Sequence, residues 1–137
     1  MKVKLKIKTN QVLEDGQLQT IEAFYRGERV DKNGDIFVSF DEFDKVKISK
    51  TTIKISGDIV TIIKFGQVNT KMIFKEGFEQ RTPYRTPYGV FDMRLYTYKL
   101  SKKIDDRQIK MGLDYKMEVT DLMKANNRID ISILTED

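Results

Sequence analysis

The chain has no cysteine and no histidine. Without cysteine there is no disulfide, no thiolate nucleophile and no cysteine-based zinc site. Without histidine the commonest general base and the commonest metal ligand are also missing. Ser-His-Asp triads and HExxH metal sites are therefore impossible in this sequence. Nucleotide-cradling glycine motifs are absent too: neither G-x-x-x-x-G-K nor G-x-G-x-x-G occurs. Lys and Arg total 25 against 21 Asp and Glu, a formal charge of +4. That excess is too small for a dedicated nucleic-acid surface. The run Ile59–Ile63 is interrupted by Thr61 and is too short to span a bilayer. The first residues, Met1 to Lys8, alternate lysine with aliphatics and carry no apolar stretch of signal-peptide type. A soluble, cytoplasmic protein without membrane association is expected.

Proline is nearly absent, and its placement is informative. Both prolines fall in Arg81-Thr82-Pro83-Tyr84-Arg85-Thr86-Pro87-Tyr88-Gly89, each inside a Thr-Pro-Tyr triplet. Proline fixes φ and offers no ladder donor, so this segment belongs to a sheet edge or corner. Thr82 and Thr86 precede prolines and are pushed to extended geometry. A turn at Tyr88-Gly89 closes the segment.

What the chain does have is alternation. Val3, Leu5 and Ile7 oppose Lys2, Lys4, Lys6 and Lys8. Ile36, Val38 and Phe40 share a face, as do Val68, Thr70, Met72 and Phe74. So do Phe91, Met93, Leu95 and Thr97; Ile109, Met111, Leu113, Tyr115 and Met117; and Ile129, Ile131 and Ile133. A period of two over such runs is the signature of strands with one apolar face. Turn signals separate them: Glu14-Asp15-Gly16, Asn33-Gly34, Ser56-Gly57-Asp58, Gly66-Gln67 and Glu76-Gly77. A strand is expected from Val46 to Ser56, a charged loop over Ser101–Arg107, and one helical turn within Thr120–Asn127. Residues 1–137 read as one all-β domain, a single antiparallel up-and-down β-barrel of about eight to ten strands, which closes its own edges. A two-sheet sandwich satisfies the same alternation.

Several motifs together resemble the YwiB-like bacterial domain, whose fold is a calycin-like (lipocalin-superfamily) β-barrel. They are Phe40-x-Glu42, Lys64-x-Gly66, Met72-x-Phe74-x-x-Gly77, Tyr84-x-Thr86-Pro87-Tyr88-Gly89, Thr97 and Tyr115. Phe40 stands where that family often has tyrosine, and Lys64 where it often has arginine. The resemblance implies a barrel and a bacterial, cytoplasmic setting; it implies no activity.

Candidate chemistry is sparse. Asp31, Asn33, Asp35 and Glu42 have EF-hand spacing, but Ile36 occupies the glycine position and the flanks are strands, so a hairpin is expected. Asp41-Glu42-Asp44 and Asp105-Asp106 read as solvated acidic corners. No catalytic residue, metal ligand or cofactor is expected. Arg94, Tyr96 and Tyr98 form an outward aromatic-basic face that suits a surface partner or single-stranded RNA. The methionine-rich inward set either fills the barrel or leaves a cavity for one small apolar ligand. The candidate ligand-binding residues of interior and mouth are Met72, Phe74, Tyr84, Thr86, Tyr88, Met93, Thr97, Met111 and Tyr115. An inward Tyr84 hydroxyl needs a partner, with Thr97 and Tyr115 as candidates. The leading expectation is a non-enzymatic binding module for a small apolar or amphipathic molecule. The alternative is an accessory protein acting through its outer surface on RNA or a protein.

Overall fold

The computed structural model describes residues 1–44 and 47–136. Its strands are β1 (Lys2–Leu13), β2 (Leu18–Lys32), β3 (Asp35–Asp44), β4 (Lys47–Ser56), β5 (Ile59–Phe65), β6 (Thr70–Phe74), β7 (Glu79–Thr86), β8 (Gly89–Ile104), β9 (Gln108–Val119) and β10 (Met123–Thr135). The start expected at Val46 lies outside the described residues. Every pairing is antiparallel, and β1 pairs with β10 as well as with β2. The sheet order is β6-β5-β4-β3-β2-β1-β10-β9-β8-β7, which leaves β6 and β7 as its two ends.

Those ends meet without forming a ladder. A single bridge joins them, with Asn69 N–H donating to the Arg85 carbonyl (3.0 Å) and Arg85 N–H donating to that of Asn69 (3.3 Å). The buried side chain of Gln80 spans the rest of the seam. Its Oε1 accepts from Ile73 N–H (2.8 Å) and its Nε2 donates to the Lys71 carbonyl (2.7 Å). One amide thus satisfies a donor and an acceptor that an adjacent strand would otherwise take. Pro83 sits in β7, a strand at the end of the sheet, where a missing ladder donor is tolerated. The result is an up-and-down barrel of ten strands, closed except along this seam.

The turns follow their residues. Asn33 (φ 55°) and Gly34 (φ 83°) both occupy the left-handed region, as a two-residue hairpin of primed type requires. Gly27 is needed for a different reason: a Cβ there would lie 2.2 Å from the Ser39 carbonyl oxygen, so β2 and β3 could not approach as they do. Two sequence expectations need correction. No helical turn occupies Thr120–Asn127. β9 and β10 are joined by the tight turn Thr120–Leu122, with Asp121 at φ 65°, and the alternation resumes at once. Nor is Ser101–Arg107 a loop. β8 continues to Ile104, which pairs with Ile109; after a register shift at Thr97–Lys99, Lys102 lies opposite the inward Met111 and Lys103 opposite the outward Lys110. Only Asp105–Arg107 turns, and Asp105 Oδ1 accepts from the backbone N–H of both Arg107 and Gln108 (2.8 Å each).

The inward faces are the alternating sets read from the sequence. Met93, Leu95, Ile109, Met111, Leu113, Ile131 and Ile133 are buried, while Phe91 and Ile129 are half-buried and pack against them. Val3, Leu5, Val38, Ile55, Val60 and Phe74 complete a solid plug at one end. Arg29, only 3% exposed, stands on the inward row of β2 at that end. Its guanidinium donates to both oxygens of Asp31 (2.9 and 3.1 Å) and to the Asp105 carbonyl (2.9 Å), so the buried charge is paired and hydrogen-bonded.

Candidate cavity at the open end of the barrel

The opposite end is not filled. A cavity of about 400 Å³ lies between the inward rows there, within the range of small-molecule sites. Its floor is aliphatic and aromatic: Ile53, Ile62, Met72, Ile131 and the ring of Phe40. Toward the rim six of the inward rows turn polar, while those of β2 and β9 stay apolar with Ile21, Ala23 and Met117. Val3-Leu5-Ile7 continues into Thr9 and Gln11, Val38-Phe40 into Glu42, Ile55-Ile53 into Thr51, and Val60-Ile62 into Lys64. Phe74-Met72 continues into Thr70, and Ile133-Ile131-Ile129 into Asn127. The positions are two apart along each strand, so all face the same interior.

Two polar groupings result. In the first, Glu42 sits among Thr51, Lys64 and Tyr25. Thr51 Oγ1 donates to Glu42 Oε2 (3.0 Å), and Lys64 Nζ lies 3.7 Å from the same oxygen. Thr51 and Lys64 are directly opposed across β4 and β5, which places them together. Burial, and then the adjacent Glu42 carboxylate, hold the Tyr25 hydroxyl above its ordinary range. The Tyr25 ring packs on Phe40 with centroids 4.7 Å apart. In the second, Gln11 Nε2 donates to Asn127 Oδ1 (3.0 Å) across β1 and β10. Asn127 is 5% exposed, and its Nδ2 has no hydrogen-bond partner; the same is true of Thr70 Oγ1, in a residue 8% exposed. Unpartnered buried polar groups are uncommon in folded proteins and ask for an explanation.

The residues singled out from the sequence divide into three sets. Met72, Tyr84 and Tyr115 line the cavity. Burial raises both tyrosine hydroxyls above their ordinary range, most strongly for Tyr115, which packs edge-on against Phe74 with centroids 4.9 Å apart. Phe74, Met93, Thr97 and Met111 are buried but stand outside the cavity wall. Thr97 Oγ1 has no hydrogen-bond partner, so neither tyrosine hydroxyl reaches it. Thr86 and Tyr88 form the turn beyond the rim. Thr86 Oγ1 accepts from Tyr88 N–H (3.1 Å) and donates to the Gly89 carbonyl (3.2 Å), while the Tyr88 side chain is 93% exposed. The turn sends Tyr88 outward, away from the mouth.

Glu42 departs from the sequence reading, which put it in a solvated acidic corner. It is the next inward position after Ile36, Val38 and Phe40, and parity alone would have found it. The same count from the aliphatic rows reaches Lys64, Thr51, Thr70, Gln11 and Asn127. Asp31, Asn33 and Asp35, by contrast, belong to a hairpin as expected. Phe40 and Lys64 both face the cavity.

Comparison with known proteins agrees with this architecture. The solved structure "Crystal structure of ywiB protein from Bacillus subtilis" superimposes with a TM-score of 0.89 at 20% identity, covering 99% of this chain and 92% of that one. In sequence, the "Uncharacterized beta-barrel protein YwiB" of Bacillus subtilis (strain 168) is 25% identical over 109 residues, 79% of this chain and 76% of that protein. The profile of the family described as "Domain of unknown function (DUF1934)" matches residues 5–131, from the first inward leucine of β1 to the inward isoleucines of β10, and the chain belongs to that family.

Proposed function

We propose that this barrel is a non-enzymatic binding module that takes up one small amphipathic molecule through its open end. The apolar part of the ligand lies against Ile53, Ile62, Met72 and Ile131, and its polar part meets the rim. The observation that carries this reading is the coordinated change of six inward rows, aliphatic at the floor and polar at the mouth of one cavity. A cavity with a few placed polar groups orients a ligand as well as holding it. Two methionines in the wall, Met72 and Met117, adapt to more than one ligand shape. The wall's charged side chains, Glu42 and Lys64, are committed to each other, which fits binding better than proton transfer.

Native mass spectrometry of freshly purified protein tests for a co-purified molecule. Titration with Nile red tests the cavity itself. Ile129→Trp, which places an indole in the half-buried wall, is expected to abolish saturable dye uptake while the fold persists. Superimposable curves for wild type and a folded Ile129→Trp variant would refute the reading.

Action through the outer surface is the second reading. Tyr96 and Tyr98 support it, packed edge-on with centroids 5.1 Å apart on the outside of β8. Their basic neighbour Arg94 is already paired with Glu79 (3.3 Å). On β1, Lys4 faces Glu136 (3.6 Å) and Lys6 faces Glu22 (3.7 Å). These pairings take up charge that phosphates would need, which is why the cavity reading ranks first.

A further inference from the structure

Building on the binding role proposed above, we infer that the ligand's polar end is uncharged and accepts hydrogen bonds: a ketone, ester or amide rather than a carboxylate or an ammonium.

Charge comes first. Among the described residues lining the cavity, Glu42 and Lys64 are the ones that carry charge, and they lie 3.7 Å apart. The wall therefore sums to zero. A carboxylate or ammonium group entering it would meet no uncommitted opposite charge, and a charge taken from water without a partner is strongly disfavoured. Hydrogen-bonding capacity comes second. Glu42 is supplied by Thr51, Lys64 and Tyr25. Among the buried polar atoms of the wall, two are left without a partner, and each can donate. Asn127 Oδ1 accepts from Gln11 Nε2, while its Nδ2 has protons and no acceptor. Thr70 Oγ1 carries a proton that no protein atom accepts. An amide nitrogen donates and never accepts. A ligand carbonyl is the complement of these groups, and its lone pairs can take two donors at once.

The test is displacement of Nile red by four ligands with one hydrocarbon length: octan-2-one, octane, octanoate and octylammonium. The ratio of octan-2-one to octane affinity cancels most of the hydrocarbon's own contribution. In Asn127→Leu this ratio is expected to fall about tenfold, the effect of one buried hydrogen bond. Thr70→Val removes the second unpartnered group with little change of shape and is expected to lower the ratio as well. Thr70→Val replaces an unpartnered polar group by an apolar one, and Asn127→Leu also frees Gln11 Nε2, which is partly exposed and can turn to water, so each should fold, and circular dichroism checks it. The two ions are expected to bind at least tenfold more weakly than the ketone in the wild type. Tightest binding by octanoate or octylammonium overturns the inference, and so does a ratio unchanged in both folded variants. Equal binding of all four ligands also overturns it, while leaving the binding role standing. No dye uptake and no ligand binding at all defeats the binding role, and this inference with it.

Discussion

Replacing Gln80 by leucine removes a side chain that spans the β6–β7 seam away from the Asn69–Arg85 bridge. Two hydrogen bonds are lost, from Ile73 N–H at 2.8 Å and to the Lys71 carbonyl at 2.7 Å. Each lost bond costs about 1–2 kcal/mol, the higher figure where the backbone group left behind is shielded from water. Gln80 is buried, and leucine has nearly its volume, so packing is largely kept. The expected loss is ~2–4 kcal/mol, read as a lower urea midpoint at unchanged slope. Gln80→Glu separates the two bonds. A carboxylate still accepts from Ile73 N–H, but it donates to the Lys71 carbonyl only when protonated. Its folded pKa is therefore raised above the unfolded value of about 4.3. That contribution is fully present below the unfolded pKa and is lost as pH rises through the folded one. The glutamate variant should approach wild-type stability in mild acid and fall behind it at neutral pH. A Gln80→Leu midpoint within ~0.5 kcal/mol of wild type, or a Gln80→Glu deficit independent of pH, would show that the seam is held elsewhere.

Met111 is 4% exposed among the plug residues, so Met111→Asp buries an unpaired charge and should leave no cooperative β-type circular dichroism transition at room temperature. Gly27→Ala forces a methyl against the Ser39 carbonyl, which cannot move without parting β2 from β3, and should cost about 1–3 kcal/mol in urea unfolding. Gly112→Ala should cost less, because its methyl meets the ends of the Arg128 and Ser101 side chains, which can shift. Tyr25, Tyr84 and Tyr115 all have raised hydroxyl pKa values, led in each case by burial. Their contribution to stability is full below the unfolded value near 10 and drains away as pH rises above it. Tyr115→Phe should therefore move the alkaline unfolding midpoint upward, and a midpoint unchanged in that variant would place the alkaline transition on other groups.

The plug was legible because its rows are pure. Ile109, Met111 and Leu113 alternate with Lys110, Gly112 and Asp114, and no competing period exists. Where charge interrupted the pattern, the reading stopped too early. Lys102 and Lys103 made the end of β8 look like a loop, although strand pairing continues through Ile104. Asn126, Asn127 and Asp121 suggested a helical turn, whereas a left-handed residue at Asp121 allows a three-residue connection. In both places tertiary pairing overrode local composition. The seam was half legible. Two prolines marked β7 as a strand at the end of the sheet, but no local rule assigns Gln80 the part of a missing neighbour.

The cavity stood in the sequence reading as one of two alternatives, but its polar rim was missed because polar residues at strand ends look solvated when each strand is read alone. Read together they carry a direction. Adjacent strands run oppositely, so one rim collects the C-terminal ends of β1, β3 and β5 with the N-terminal ends of β4, β6 and β10. Gln11, Glu42 and Lys64 are inward residues near C-terminal ends; Thr51, Thr70 and Asn127 are inward residues near N-terminal ends. The other rim collects Val3, Ile36 and Val60 with Ile55, Phe74 and Ile133, all apolar. Ordinary fraying into solvent would make both ends of each inward row polar alike. A switch that reverses its place from strand to strand puts the polar members of these six rows on one rim. That asymmetry is present in the sequence once the topology is known. It explains why the barrel is solid at the Arg29 end and hollow at the other: polar side chains at the mouth can be satisfied by one another, by solvent or by a ligand, and do not have to pack.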